Sequence, residues 1–81
     1  MILREQNSKE LKKYTKSGLA NVYIASKDDP TILMLMDIES FIYENDQELY
    51  GVELTYHDKT RPYPLNTSIY PIDEYRFFIQ N

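Results

Sequence analysis

The sequence predicts an α+β fold: a short N-terminal helix packed on an antiparallel sheet of four or five strands, either open or curled into a small barrel. Two observations lead to this prediction. A polar stretch with helix-capping residues occurs near the N-terminus, and short segments of alternating apolar and polar residues follow it. With 81 residues and no cysteine, the chain is expected to form a single domain, residues 1–81, around one modest core.

The helix is predicted within residues 7–18. Asn7 or Ser8 can act as the N-cap, and Glu10 lies in the first turn, where the helix dipole favours an acidic side chain. Three lysines lie towards the C-terminal end, where the dipole favours cations. Gly18 then suits the left-handed conformation that ends many helices.

Five later segments have the composition of strands, and they are residues 21–26, 31–42, 50–57, 68–70 and 75–79. The segment 31–42 also fits a helix, because Asp29 could cap it and Pro30 suits the first helical position. We predict a strand, bulged near Asp37. The reason is that the alternating segment 50–57 needs a neighbouring strand to pair with, and pairing with the segment just upstream requires the shortest loop. The fourth segment is predicted as a short edge strand.

The alternation also predicts which side chains face the core. The predicted inward residues are Tyr50, Val52, Leu54 and Tyr56 on one strand, Phe77 and Ile79 on the last, and Leu11 and Tyr14 from the helix. Ile2 and Leu3 are predicted to extend the apolar side of the helix. A loop is expected over residues 59–66, because Pro62 and Pro64 would remove hydrogen-bond donors from a central strand.

Charge is divided unevenly along the chain. The net charge is -4, yet residues 28–58 contain nine carboxylates and no lysine or arginine. Residues 1–27 have six basic and two acidic side chains, and residues 59–81 have three basic and two acidic side chains. A block of one sign creates a field that attracts or repels a partner, whereas most surfaces mix the two signs. The block therefore either keeps the chain soluble or docks on a basic surface.

Catalytic, metal and cofactor sites are not expected. His57 and Asp58 are adjacent, but the chain has no cysteine and no second histidine to complete a nucleophilic or metal site. We predict that His57 is a solvated polar corner. The only glycines, Gly18 and Gly51, are too few and too far apart for a phosphate-binding loop.

We predict a small acidic, non-enzymatic binding or inhibitor protein that docks an acidic, tyrosine-containing face on a basic surface of a partner protein. The predicted partner-binding residues are Glu39, Tyr43, Glu44, Asp46, Glu48, Tyr50 and Glu53, with Tyr63 and Tyr70 as secondary candidates beside prolines. In size, acidity and general layout the chain is similar in kind to small phage-encoded inhibitors that occupy the binding groove of a nucleic-acid enzyme, although no motif is shared.

The alternative is a structural or assembly subunit that self-associates through its sheet edge, for example as a homodimer. Direct binding to nucleic acid is not expected, because the acidic block would repel phosphate. The chain lacks both a long apolar segment and a signal-peptide pattern. We therefore expect no membrane association and a cytoplasmic location.

Overall fold

A computed structural model of the protein describes residues 2–57 and 67–80. The elements in chain order are β1 (Leu3–Gln6), α1 (Ser8–Lys13) with a 3₁₀ turn (Tyr14–Lys16), β2 (Asn21–Ser26), β3 (Met34–Tyr43), β4 (Leu49–Tyr56), β5 (Ser68–Pro71) and β6 (Tyr75–Gln80). All six strands form one antiparallel sheet in the order β1-β6-β2-β3-β4-β5. No helix in the described part of the chain is long and apolar enough to cross a membrane.

The α+β class is confirmed, but the strand count and the barrel are wrong. β1 is absent from the prediction, which places Leu3 on the apolar side of the helix, whereas Leu3 pairs with Gln80 of β6. Strands β1 and β5 lie at opposite edges of the sheet. The sheet therefore stays open, and its described edges are the two shortest strands, four residues each.

The helix begins as predicted but is shorter. The Glu10 N–H donates to Asn7 Oδ1 (2.8 Å) and the Asn7 N–H donates to Glu10 Oε1 (3.1 Å), so the two residues form a capping box. The α-helix ends at Lys13, the 3₁₀ turn follows, and Gly18 has the expected positive φ of 75°. Only Leu11 of α1 is buried. Since short helices in proteins are stabilised mainly by packing of their apolar side, this single contact is too little to stabilise a longer helix.

The strand predicted over residues 31–42 is confirmed from Met34 onward, as β3 (Met34–Tyr43), whereas residues 31–33 lie outside it. It pairs with β2 on one side and β4 on the other. The bulge lies at Glu39, two residues after the predicted position: the register passes from Ile38 opposite Leu54 to Ser40 opposite Glu53. β2 pairs with residues 34–37 of this strand and β4 with residues 36–43. Backbone hydrogen bonds to these two neighbours therefore favour a strand, where the local pattern allowed either a strand or a helix.

The core lies between α1 and one face of the sheet, which we call the core face. Its buried members are Leu11, Val22, Ile24, Met36, Leu49, Val52, Leu54, Phe77 and Ile79. The predicted inward residues agree, with one exception. Tyr50 is 43% exposed and Leu49 is buried instead, because the register shifts again and leaves Tyr50 without an opposite residue in β3.

Candidate docking surface

The long hairpin formed by β3, β4 and their connector, residues 34–56, carries much of the acidic block, and we call it the acidic hairpin. Ten-residue β3 is roughly 33 Å long at the usual rise of a strand, close to the 37 Å length of the described molecule. Its carboxylates are those of Asp37, Glu39, Glu44, Asp46, Glu48 and Glu53, and it contains no lysine or arginine. Pairing of the two strands thus concentrates one sign of charge on a single hairpin.

The connector at the tip of the hairpin is held by backbone and amide hydrogen bonds. The Glu44 N–H donates to the Glu48 carbonyl (2.8 Å), and Asn45 Oδ1 accepts from the N–H groups of Gln47 (2.9 Å) and Glu48 (3.0 Å). Glu44, Asp46 and Glu48 are exposed, and their carboxylates make no hydrogen bond or ion pair with residues 2–57 or 67–80. The shape of the tip therefore does not depend on its carboxylates.

Three side-chain hydrogen bonds join β3 to β4 or to the residue after it, on the face opposite the core, which we call the open face. His57 Nδ1 lies 2.6 Å from Asp37 Oδ1, the Thr55 hydroxyl donates to Glu39 Oε1 (3.0 Å), and the Ser40 hydroxyl donates to Glu53 Oε1 (2.9 Å). These bonds hold the carboxylates of Asp37, Glu39 and Glu53 in defined positions along the strands.

The side chain of His57 is 52% exposed, so its prediction as a solvated residue is confirmed. Its Nδ1 is paired with Asp37, and the adjacent Asp58 lies outside the described residues. The nearby Thr55 hydroxyl donates its hydrogen bond to Glu39 Oε1. Among the described residues, no cluster of three or more histidine, aspartate or glutamate side chains is placed to hold a metal ion.

Basic residues of the helix approach one side of the hairpin tip, which the linear charge pattern did not indicate. The Lys12 ammonium donates to the Gln47 carbonyl, 35 positions away. Lys9 and Lys12 line a groove of about 600 Å³ together with Glu44 and Glu48. On the helix side of the tip the surface therefore has mixed charge, because lysines lie beside the carboxylates. The open face of the hairpin is more uniformly acidic.

The predicted tyrosine anchors lie on different surfaces. Tyr50 lines the groove beside the helix, whereas Tyr43, 39% exposed, lines a separate concavity with Tyr14 and Phe41. Tyr70 packs against the core, and its ring meets that of Tyr75 edge to face at 4.9 Å. Burial raises the pKa of Tyr70, with smaller contributions from neighbouring tyrosines. Tyr63 lies outside the described residues.

Sequence analysis did not single out an apolar row on the open face. Tyr23 of β2 lies between Leu35 of β3 and Phe78 of β6 in the strand register. One signal could have indicated this row, because β2 and β6 have large apolar residues at consecutive positions and so cannot bury all of them on one face.

At the β6 end of that row, Glu5 and Arg76 form an exposed bidentate ion pair, with Nε–Oε2 and Nη2–Oε1 distances of 3.0 and 2.6 Å. The hydrogen bond from Arg76 lowers the pKa of Glu5 below its ordinary value of 4.5. A carboxyl with a lowered pKa stabilises the fold above its unfolded pKa, and this contribution disappears as the pH falls through the folded pKa.

We therefore expect the stability difference between the wild type and Glu5→Gln to be constant at neutral pH and to shrink as the pH falls below about 4.5. Urea unfolding of both proteins from neutral pH to about pH 2 would measure it. The difference should also shrink in high salt, because both side chains are exposed. A difference that grows on acidification would contradict the assigned pairing.

Comparisons of the chain with protein-family models, with curated proteins and with solved structures each found no match.

Proposed function

We propose that the protein is a non-enzymatic binding or inhibitor protein that docks its acidic hairpin on a basic surface of a partner protein, of the kind that normally holds nucleic acid. The observation that supports this proposal is the distribution of charge on the hairpin. Six carboxylates lie on one hairpin that has no lysine or arginine of its own. The cytoplasmic location predicted from the sequence is part of the same proposal.

The arrangement suits electrostatic recognition. The connector is exposed and keeps its shape through Asn45, so its three carboxylates are available to a partner without the need to break contacts within the described chain. Glu39 and Glu53 are already held by hydroxyl donors, so ordering them on binding costs less conformational entropy. Charges placed at a rim act mainly on the rate of encounter with a complementary surface.

Self-association through a sheet edge is less well supported. The two edge strands are short, Pro71 at one edge lacks an N–H group, and Arg4 and Glu5 place charges on the other. Short strands, prolines and charges are features by which proteins avoid edge-to-edge pairing. Sedimentation velocity over a range of concentrations would detect a dimer if one forms.

Replacing Glu44, Asp46 and Glu48 together by lysine is expected to slow partner association by about tenfold or more at low salt, because the field that steers encounter is reversed. The fold should survive, since the backbone of the connector does not rely on these carboxylates. Wild-type and variant baits would be compared by affinity capture from the source cells. Surface plasmon resonance on the captured partner over a salt series would then measure the rates.

The matched control is the triple variant D28K/D29K/E74K, which changes the net charge equally at exposed positions outside the hairpin. This control should retain most of the association rate and of the salt dependence. Neither the wild type nor the control should bind random oligonucleotides at about 150 mM salt. If the hairpin variant keeps both the wild-type rate and the wild-type salt slope, the proposal is wrong and the acidic block serves solubility.

A further inference from the structure

Half of β3 extends beyond the end of β2. β2 pairs with residues 34–37 of β3, and just before β2 begins, the Ala20 carbonyl accepts from the Ile38 N–H at 2.9 Å. From Glu39 to Tyr43 the only strand that pairs with β3 in the described part of the chain is β4. Successive residues of a strand direct their N–H and C=O groups to opposite edges. Some backbone groups of residues 39–43, which we call the β3 edge, therefore point away from β4.

A concavity of about 370 Å³ lies along the β3 edge. Tyr14 and Leu19 line it on the helix side, and Phe41 and Tyr43 line it on the strand side. Leu19 directly precedes the residue that bonds to β3, so the concavity lies on the β2 side of the strand. All four side chains are at least partly exposed. The edge thus faces a space with apolar walls.

We propose that the β3 edge binds an extended segment of the partner protein as an added strand. The inference rests on the proposed function and names the form in which the partner would contact the acidic hairpin. In this mode of recognition, backbone hydrogen bonds supply affinity and alternate side chains enter pockets. The β3 edge is roughly 16 Å long at the usual rise of a strand, which suits a segment of about five residues.

The two sides of the β3 edge predict the composition of that segment. Towards the core face lie Phe41 and Tyr43 with the rest of the concavity, so side chains that enter it should be apolar. Towards the open face lie the carboxylates of Glu39 and Glu53, which the hydrogen bonds described above hold in place. Since successive side chains of a strand point to opposite faces, the segment should alternate apolar residues with lysine or arginine.

Other occupants suit this edge less well. If two copies paired antiparallel about Phe41, the centre of the edge, Glu44 of the second copy would come opposite Ile38. Ala20 already occupies that position through its hydrogen bond to the Ile38 N–H. Residues 58–66 connect β4 to β5, and both β4 and β3 separate β5 from this edge. A nucleic-acid strand would bring its phosphates beside the carboxylates of the open face.

The test adds to the 81-residue protein a synthetic peptide of about seven residues in which lysine alternates with valine. Two matched peptides carry N-methyl groups on every lysine or on every valine. Each loses the backbone donors of one edge and keeps its charge and side chains. Titration followed by NMR should show binding of the unmodified peptide and of only one methylated peptide, with the largest shift changes at residues 39–43. Failure of the unmodified peptide to bind, or equal binding of both methylated peptides, would overturn the inference.

Hydrogen exchange tests whether the β3 edge is unoccupied in the protein alone. Amides of residues 39–43 that point away from β4 should exchange rapidly in the free protein. They should slow roughly tenfold when the peptide is present at roughly ten times its dissociation constant. If every amide of the edge is already protected in the monomer, the chain itself covers the edge and the inference is wrong. It is also wrong if protection appears only where sedimentation velocity detects a dimer.

Tyr43→Ser and Tyr50→Ser form a matched pair of variants. The two side chains are 39% and 43% exposed and lie near the same tip, but of the two only Tyr43 lines the concavity. Tyr43→Ser should weaken binding of the peptide roughly tenfold, because an apolar contact is lost. Tyr50→Ser should bind the peptide like the wild type. Circular dichroism would confirm that both variants fold, and unchanged binding by the folded Tyr43 variant would contradict the inference.

These outcomes are separable from those of the proposed function. If the connector lysine variant loses its partner while the peptide does not bind the β3 edge, the proposed function stands and the added strand is wrong. If the peptide binds the β3 edge while the connector variant keeps wild-type association with the partner and its salt slope, the edge is a docking site and the proposed role of the hairpin tip is wrong.

Discussion

Phe77→Ala is expected to lower the free energy of unfolding by about 3–5 kcal/mol. Phe77 is 1% exposed and is the largest fully buried side chain of the described chain. It lies between Ile24 of β2 and Gln6 of β1 in the register and belongs to the core, so its removal leaves a cavity on the core face of the sheet. Since small domains have only about 5–15 kcal/mol of stability, this loss is a large part of the total.

The adjacent Phe78 provides a control of identical chemistry on the opposite face. It is partly exposed beneath Arg76, and Phe78→Ala is expected to cost about 1–2 kcal/mol. Urea unfolding of both variants would measure the two losses. A larger loss for Phe78 than for Phe77 would mean that β6 is shifted by one residue, because such a shift exchanges the two faces of a strand.

Gly51→Ala is expected to destabilise the protein by about 1–3 kcal/mol and to loosen the β5 edge. A Cβ at this position would lie 2.6 Å from the Tyr70 carbonyl oxygen and 3.0 Å from the Pro71 Cα. These are backbone atoms, which cannot rotate away, so β5 must move. Hydrogen exchange should report the movement at the Ile72 N–H, which donates to the Tyr50 carbonyl at 3.0 Å.

Gly18→Ala is the comparison for this prediction, because a Cβ there would meet nothing within 4 Å. Its expected cost, about 1 kcal/mol, comes only from the positive φ of 75°. The variant should leave exchange at the Ile72 N–H unchanged. If the two glycine variants lose equal stability and neither changes that exchange rate, the close approach of β4 and β5 is not as the structure places it.

The candidate surface was predictable in its charge but not in its geometry. The acidic block is visible in the linear sequence, and alternation indicated that Val52 and Leu54 face the core. The prediction from alternation was wrong at Tyr50, because the alternating pattern of a strand does not reveal where its pairing register shifts. The contact of Lys12 with the tip and the pairing of Asp37 with His57 depend on which strands become neighbours.

Features whose causes act within a few residues were predictable from the amino-acid sequence. The capping box of Asn7 and Glu10, the left-handed Gly18 and the alternation of β4 belong to this class, because each depends on neighbours along the chain. Contacts between distant segments produce the pairing of β1 with β6, the bulge at Glu39 and the apolar row of the open face. A four-residue strand carries too little periodicity to be recognised, and its hydrogen-bond partner lies more than 70 positions away.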